Sequence, residues 1–153
     1  DGEAVGREAE AMAARLKEHD PDADIEGFLV QEMVRGIEVI LGVREDPQFG
    51  PFLIVGLGGV FVEAIRDIAF RLLPVTAEDG REMLSELRGA KVLGAFRGQA
   101  PRDVDALAAA IGGLSRLFLN HRPWVADLEF NPLIVLEERK GVRAVDVRLM
   151  RKS

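Results

Sequence analysis

Asp127, Glu129 and Asn131 alternate along the stretch Trp124 to Phe130, with apolar residues between them. Alternate residues of a strand point the same way. The three polar side chains therefore share one face, and Trp124, Ala126, Leu128 and Phe130 share the other. Pro132 is expected to interrupt ladder bonding just beyond. A reversal at Arg139-Lys140-Gly141 would return Asp146 and Arg148 roughly opposite Leu133 and Asn131. Two or three hard oxygen donors and a guanidinium then gather at one end of a sheet. Magnesium favours such donors, often one or two carboxylates completed by phosphate oxygens and water. An arginine beside them can take a bidentate hold on a phosphoryl group. The same alternation also fits a solvated strand face with a surface ion pair. A solvated face, however, does not require three polar oxygen groups in a row running into Asn-Pro.

A second chemical stretch runs from Phe49 to Arg71, FGPFLIVGLGGVFVEAIRDIAFR. A strand-like segment, Pro51 to Val55, leads into Gly56, Gly58 and Gly59. An apolar segment, Val60 to Ile65, then carries Glu63, and Asp67 and Arg71 follow. Glycines admit positive φ and let a ligand approach bare backbone, and successive N–H groups at such a bend can form an anion-binding nest. An ordinary turn between strands has the same composition.

Composition narrows the field. The 153 residues suffice for one domain with a real core. With no cysteine there is no disulfide framework and no thiolate chemistry. The net charge of −6 offers no basic footprint for nucleic acid, while a small anionic cofactor needs only local amides and a cation. No apolar run approaches the length of a membrane-spanning helix, and the opening residues lack the order of a secretory signal. A reducing cytoplasm fits these features. His19 and His121 sit beside Asp20 and Arg122, with no nucleophile paired to either, and neither is assigned a chemical role.

These residues must be positioned by elements that the pattern outlines. Val5, Ala9, Met12 and Leu16 recur at helical spacing, and that helix ends near His19-Asp20-Pro21. Phe28 to Val34 reads as a mostly buried strand, and Arg35-Gly36 turns the chain. Ile37 to Val43 alternates, with Glu38 on the polar face. Glu45 to Gln48 is a turn, making the next segment an antiparallel neighbour. Thr76 and Asp79 resemble a capping box opening a helix through about Leu87, with Met83, Leu84 and Leu87 on its buried side. Gly89 to Gly98 reads as a structured loop or short strand. A longer helix, capped by Asp103 and stopped by Asn120 and Pro123, buries Val104, Leu107, Ala108, Ile111, Leu114, Ser115 and Phe118. Two strands, Trp124 to Phe130 and Val142 to Leu149, close the chain. The order implies an α+β layer, a mainly antiparallel sheet flanked by helices.

Four pieces occur in order: QEMVRGIEVILGVREDPQFGP, VGLGGVFVEAIRDIAFRLLP, GAFRG and DLEFNPLIV followed by AVDVR. Together they resemble the ATP-grasp module of ADP-forming acyl-CoA synthetases, which is similar to the nucleotide-binding subunit of succinyl-CoA synthetase and also occurs in multidomain protein acetyltransferases. The resemblance covers about Gly27 to Arg148. It implies that Gln31, Glu32, Met33 and Val34 form the hinge strand that holds adenine, with Glu38 at the nucleotide edge. It implies that Asn131 and Asp146 bind magnesium with Glu129 beside them, and that Gly58 and Gly59 face the phosphoryl-transfer site, to which Arg148 also belongs. Glu63, Asp67 and Arg97 are motif members for which domain packing and ligand contact remain equal alternatives.

The implied cofactors are ATP or ADP and magnesium. The implied reaction moves a phosphoryl group between ADP and a mobile histidine on a partner that binds coenzyme A. Nothing before Phe28 matches the lysine-bearing N-terminal subdomain of the module, and neither histidine lies in the family's phosphohistidine motif. The expectation is therefore a single domain over residues 1–153, the C-terminal ATP-grasp subdomain of a larger protein, inactive alone. The alternative is a non-catalytic regulatory or docking domain of a multidomain acetyltransferase. No nucleic-acid or membrane partner is expected.

Overall fold

The computed structural model describes residues 1–58, 67–95 and 98–152. The chain divides into two compact units, Asp1–Met33 and Val34–Ser153. In the first, helix α1 spans Gly2–His19 and is capped by Asp1, whose carboxylate accepts the Ala4 N–H at 2.8 Å. Its apolar stripe of Val5, Ala9, Met12 and Leu16 lines a shallow groove together with Phe28, yet no residue of α1 is buried.

The expected buried strand at Phe28 to Val34 does not form. This stretch is extended without ladder pairing, and Leu29 and Met33 are 83% and 86% exposed. A strand exists only where its N–H and C=O groups are paired. Within the sheet of the second unit, both sides of the strand that follows are already occupied.

That sheet is wholly antiparallel among the described residues. Its strands are β1 (Ile37–Asp46), β2 (Gly50–Leu57), β3 (Ile68–Leu72), β4 (Val125–Val135), β5 (Val142–Ala144) and β6 (Val147–Arg151). The order is β3-β2-β1-β4-β5, with β6 also paired to β4. Odd-numbered β1 residues Val39, Leu41 and Val43 face the core with Leu53, Val55 and Leu57 of β2. Helices α2 (Ala77–Glu86) and α3 (Val104–His121) cover that face through Met83, Leu84, Leu107, Ile111, Leu114 and Phe118. Within this unit, the described helices pack on that face alone. The α+β architecture follows the sequence reading.

Local chemistry sets the helix ends. The capping box is complete: Asp79 N–H donates to Thr76 Oγ1 at 3.2 Å, and Thr76 N–H donates to Asp79 Oδ2 at 2.7 Å. The Thr76 hydroxyl, which also donates to Asp79 Oδ2 at 2.7 Å, and then the Thr76 N–H hold the Asp79 carboxyl below the usual range. Asp103 caps α3 through Ala106 N–H at 3.0 Å and accepts Gly141 N–H at 2.8 Å, tying the helix start to the β4–β5 turn. Both bonds favour the ionised form, and its pKa is depressed accordingly. Buried Ser115 accepts the Val75 N–H at 2.8 Å. Gly89 to Gly98 contains a short 3₁₀ turn, Ala90–Leu93, rather than a strand. At the far end of β1, Glu45 pairs with Arg122 and Lys152, and the Arg122 bond chiefly lowers its pKa.

Candidate functional site on the open face of the sheet

The chemical residues lie on the uncovered face. Residues opposite one another in a ladder share a face, so the register assigns them. Arg44 lies opposite Asp127, Gly42 opposite Glu129 and Glu38 opposite Ile134. On the far side of β4, Glu129 faces Arg148. The expected grouping of Asp127 and Glu129 apart from Leu128 and Phe130 is observed. An irregularity between Val125 and Asp127 changes the start of the strand. Val125 enters the core, while Trp124 stays 43% exposed with its ring edge-on to His121.

Two expectations about the last hairpin need correction. First, β4 does not stop at Pro132 but runs through it to Val135. Between Leu41↔Phe130 and Val39↔Leu133, the two residues Asn131 and Pro132 of β4 face the single residue Ile40 of β1. This is a bulge, a device that re-aims a side chain. Proline fits there because the ladder is already locally broken. Second, the returning strand is displaced by two residues: Arg148 faces Glu129, not Asn131. The pairing continues in the same register at Leu133↔Ala144, which brings Asp146 opposite Asn131. The Asn131 N–H donates to the Asp146 carbonyl at 3.1 Å, and Val145 N–H donates to the Pro132 carbonyl at 3.2 Å. The gap between β5 and β6 thus falls opposite the β4 bulge. The ladder to β1 is thus broken at Asn131, while on the other side its backbone stays bonded to Asp146. A two-residue displacement preserves the face of every side chain, which is why the polar grouping survives the correction.

Side chains beside this point form a continuous chain of bonds. Arg44 Nε donates to Asp127 Oδ2 at 2.9 Å. Arg148 Nη2 donates to Asp127 Oδ1 at 3.2 Å and to Glu129 Oε2 at 2.8 Å. Asn131 Nδ2 donates to Glu129 Oε1 at 3.2 Å. Glu129 therefore has both oxygens engaged by protein donors, and Asn131 has its amide nitrogen turned inward with Oδ1 left as acceptor. Asp127, at 8% exposure, is one of the buried charged residues. Arg148, counted from the sequence as a phosphoryl contact, bonds both carboxylates through its Nη2. Arg44 drew no attention in the sequence, although its place on the polar face of β1 was readable from the alternation.

Glu38 and Gly58 meet at the other end of β1. Gly58 N–H donates to the Glu38 carbonyl at 2.6 Å, and a Cβ on Gly58 would lie 2.7 Å from Glu38 Cβ. The glycine is needed for backbone contact between β1 and the end of β2, whatever else faces it. Asp67 resolves toward packing: it is buried and accepts Arg88 N–H at 2.7 Å and Gly89 N–H at 2.8 Å. Gly59, Glu63, Arg97 and the apolar segment Val60 to Ile65 lie outside the described residues. Gln31, Glu32 and Met33 are exposed and belong to the first unit, Val34 to the second.

The donor set suits magnesium. Among the described residues, no three His, Cys, Asp or Glu side chains are grouped to enclose a cation. An Asn oxygen and one carboxylate on neighbouring strands match a metal that completes its octahedron with water and phosphate oxygens. Toward β3 the open face becomes apolar: Phe49, Phe52, Ile54, Phe70 and Leu72, with Asp46, line a depression of about 500 Å³.

Residues 1–150 match the family model described as the ATP-grasp domain. The subunit beta of acetate–CoA ligase (ADP-forming) II of Pyrococcus furiosus is 35% identical over 152 residues, covering 99% of this chain and 64% of that protein. Acetate–CoA ligase (ADP-forming) I of Archaeoglobus fulgidus is 43% identical over 131 residues, 85% of this chain and 19% of that one. The chain thus spans under two thirds of the first of these relatives and about a fifth of the second. A solved structure of the dinucleotide-forming acetyl-coenzyme A synthetase 1 of Candidatus Korarchaeum cryptofilum is similar with a TM-score of 0.72 and 37% identity, over 78% of this chain and 55% of that one. That enzyme was solved with coenzyme A and Mg-AMPPCP, its phosphohistidine segment pointing towards the nucleotide-binding site. The family match over nearly the whole chain and the shared fold establish that this protein belongs to the ATP-grasp domain family.

Proposed function

We propose that the chain is the C-terminal, nucleotide-binding part of the ATP-grasp module of an ADP-forming acid–CoA ligase. In the proposed reaction, a phosphoryl group passes from a histidine on another, coenzyme A-binding domain to ADP, giving ATP and the free histidine. The observation that supports this reading is the β4 bulge at Asn131-Pro132, where the Asn131 N–H bonds the Asp146 carbonyl and sets the two residues opposite each other. The full ligase activity, the partner domain and a second, N-terminal half of the grasp are inferred from the relatives. A cytoplasmic location is part of the same proposal. No helix among the described residues is long and apolar enough to cross a membrane.

Each residue has a stated part. Asn131 Oδ1 and the Asp146 carboxylate would hold magnesium, which would supply neutralising charge to the transferring phosphoryl group. Glu129 supports Asn131 from outside the metal shell. The family resemblance assigns the Gln31-Glu32-Met33-Val34 stretch to adenine, partly through its backbone, and Glu38 to the nucleotide edge. Gly58 and Gly59 border the phosphates. Little covalent work falls to this chain; its contribution is orientation.

The test is acyl-CoA-dependent ATP formation by the full-length protein, with Asn131→Ala and Asp146→Ala compared against the parent. Each variant should lose about 100-fold or more in rate while its circular dichroism is unchanged. Unaltered rates in both variants overturn the assignment. Calorimetric silence toward Mg-ADP, with binding to the partner domain kept, would favour a regulatory or docking role in a multidomain acetyltransferase instead.

A further inference from the structure

We propose that Asp127 is a positioning residue for the cation site, acting through Arg148 and Glu129 on the orientation of the Asn131 amide. The inference rests on the functional reading above and adds to it a residue outside the metal shell. Its basis is the unbroken order of bonds Arg44–Asp127–Arg148–Glu129–Asn131, spanning β1, β4 and β6.

An amide side chain presents one donor end and one acceptor end, and its partner decides which faces out. Glu129 Oε1 accepts the Asn131 Nδ2 hydrogen, so Oδ1 is the end left for a cation. Glu129 keeps that geometry only while its other oxygen is held, and Arg148 holds it at 2.8 Å. Arg148 in turn has a side chain 54% exposed. A long, half-solvated side chain stays in one geometry when a second anchor fixes it, and the buried Asp127 carboxylate is that anchor. Arg44 on the neighbouring strand occupies the remaining Asp127 oxygen.

A stabilising role alone does not account for the arrangement. Both arginine partners of Asp127 have side chains more than half exposed, 61% and 54%, and pairs with exposed partners contribute little to stability. Orientation of a ligand by an outer partner, in contrast, changes metal affinity by roughly 10- to 100-fold.

The test measures Mn²⁺ binding by electron paramagnetic resonance, at saturating ADP, in the full-length protein. Asp127→Ala should weaken Mn²⁺ about 10-fold or more, with a thermal midpoint close to that of the parent. Arg148→Met, which breaks the same link from the exposed side and does not depend on the fold tolerating loss of a buried carboxylate, should weaken it comparably. Arg148→Lys should recover part of the loss. Because the two residues act in series, the double variant Asp127→Ala/Arg148→Met should bind no more weakly than the worse single one. Mn²⁺ affinity within twofold of the parent in Arg148→Met, or fully additive losses in the double variant, overturns the proposal. If Asn131→Ala loses Mn²⁺ in the same series, the functional reading survives that outcome. If Asn131→Ala also binds normally, the cation site itself is misplaced, and both readings fail together.

Discussion

At Gly58 the sheet leaves no room for a side chain. A methyl group there would meet the Glu38 Cβ at 2.7 Å and the Glu38 carbonyl carbon and oxygen at 2.9 Å, all on a strand fixed from both sides. Gly58→Ala should therefore destabilise the protein by about 1–3 kcal/mol, read as a lower urea midpoint at unchanged slope. A midpoint equal to the parent's would show that β1 and β2 separate easily at that end. The sequence marked this glycine through its neighbours and suggested a phosphate nest. The close approach to Glu38 depends on which strands are adjacent, which no local pattern records. Asp67 is similar: its position in a motif was legible, whereas its use as acceptor for two N–H groups after α2 required the fold. The closeness of Glu129 and Asn131 on β4 was legible because strand alternation puts them on one face.

Among the elements, helix ends were the most legible, since caps are local chemistry. Thr76, Asp79 and Asp103 were read correctly, and their bonds predict a pH response. Ala106 and Gly141 N–H groups depress the folded-state pKa of Asp103 below its unfolded value of about 3.9. In the acid range the unfolded chain thus binds more protons than the native one, and stability rises with pH. The contribution is complete above the unfolded value and disappears as pH falls through the lower folded one. Asp103→Asn keeps an oxygen acceptor but does not titrate. Its thermal midpoint should trail the parent's at pH 5 and converge with it toward pH 3, and parallel curves would contradict this account. Strands were less legible. The β3 alternation of Ile68, Phe70 and Leu72 was visible but not read as a strand. The two-residue displacement of β6 arose because a turn position does not specify where bulges fall.

At the largest scale, the described helices of the second unit cover one face of its sheet. Phe70 is 65% exposed and Leu72 55% on β3, a strand with one neighbour among the described residues. An apolar edge of this kind favours self-association. Sedimentation velocity on this chain alone should show mass rising with concentration, and Phe70→Lys should reduce that rise. A concentration-independent monomer in both forms would refute it. The β4–β5–β6 hairpin keeps one pairing from Leu128 to Val135, while its tip at Arg139 and Gly141 takes positive φ outside the ladder. For anyone splicing a reporter or epitope into this protein, the tip is the forgiving place. One residue added inside Val145-Asp146 would instead rotate everything beyond it, turning Arg148 toward the hydrophobic interior and parting it from both of its acidic partners at once.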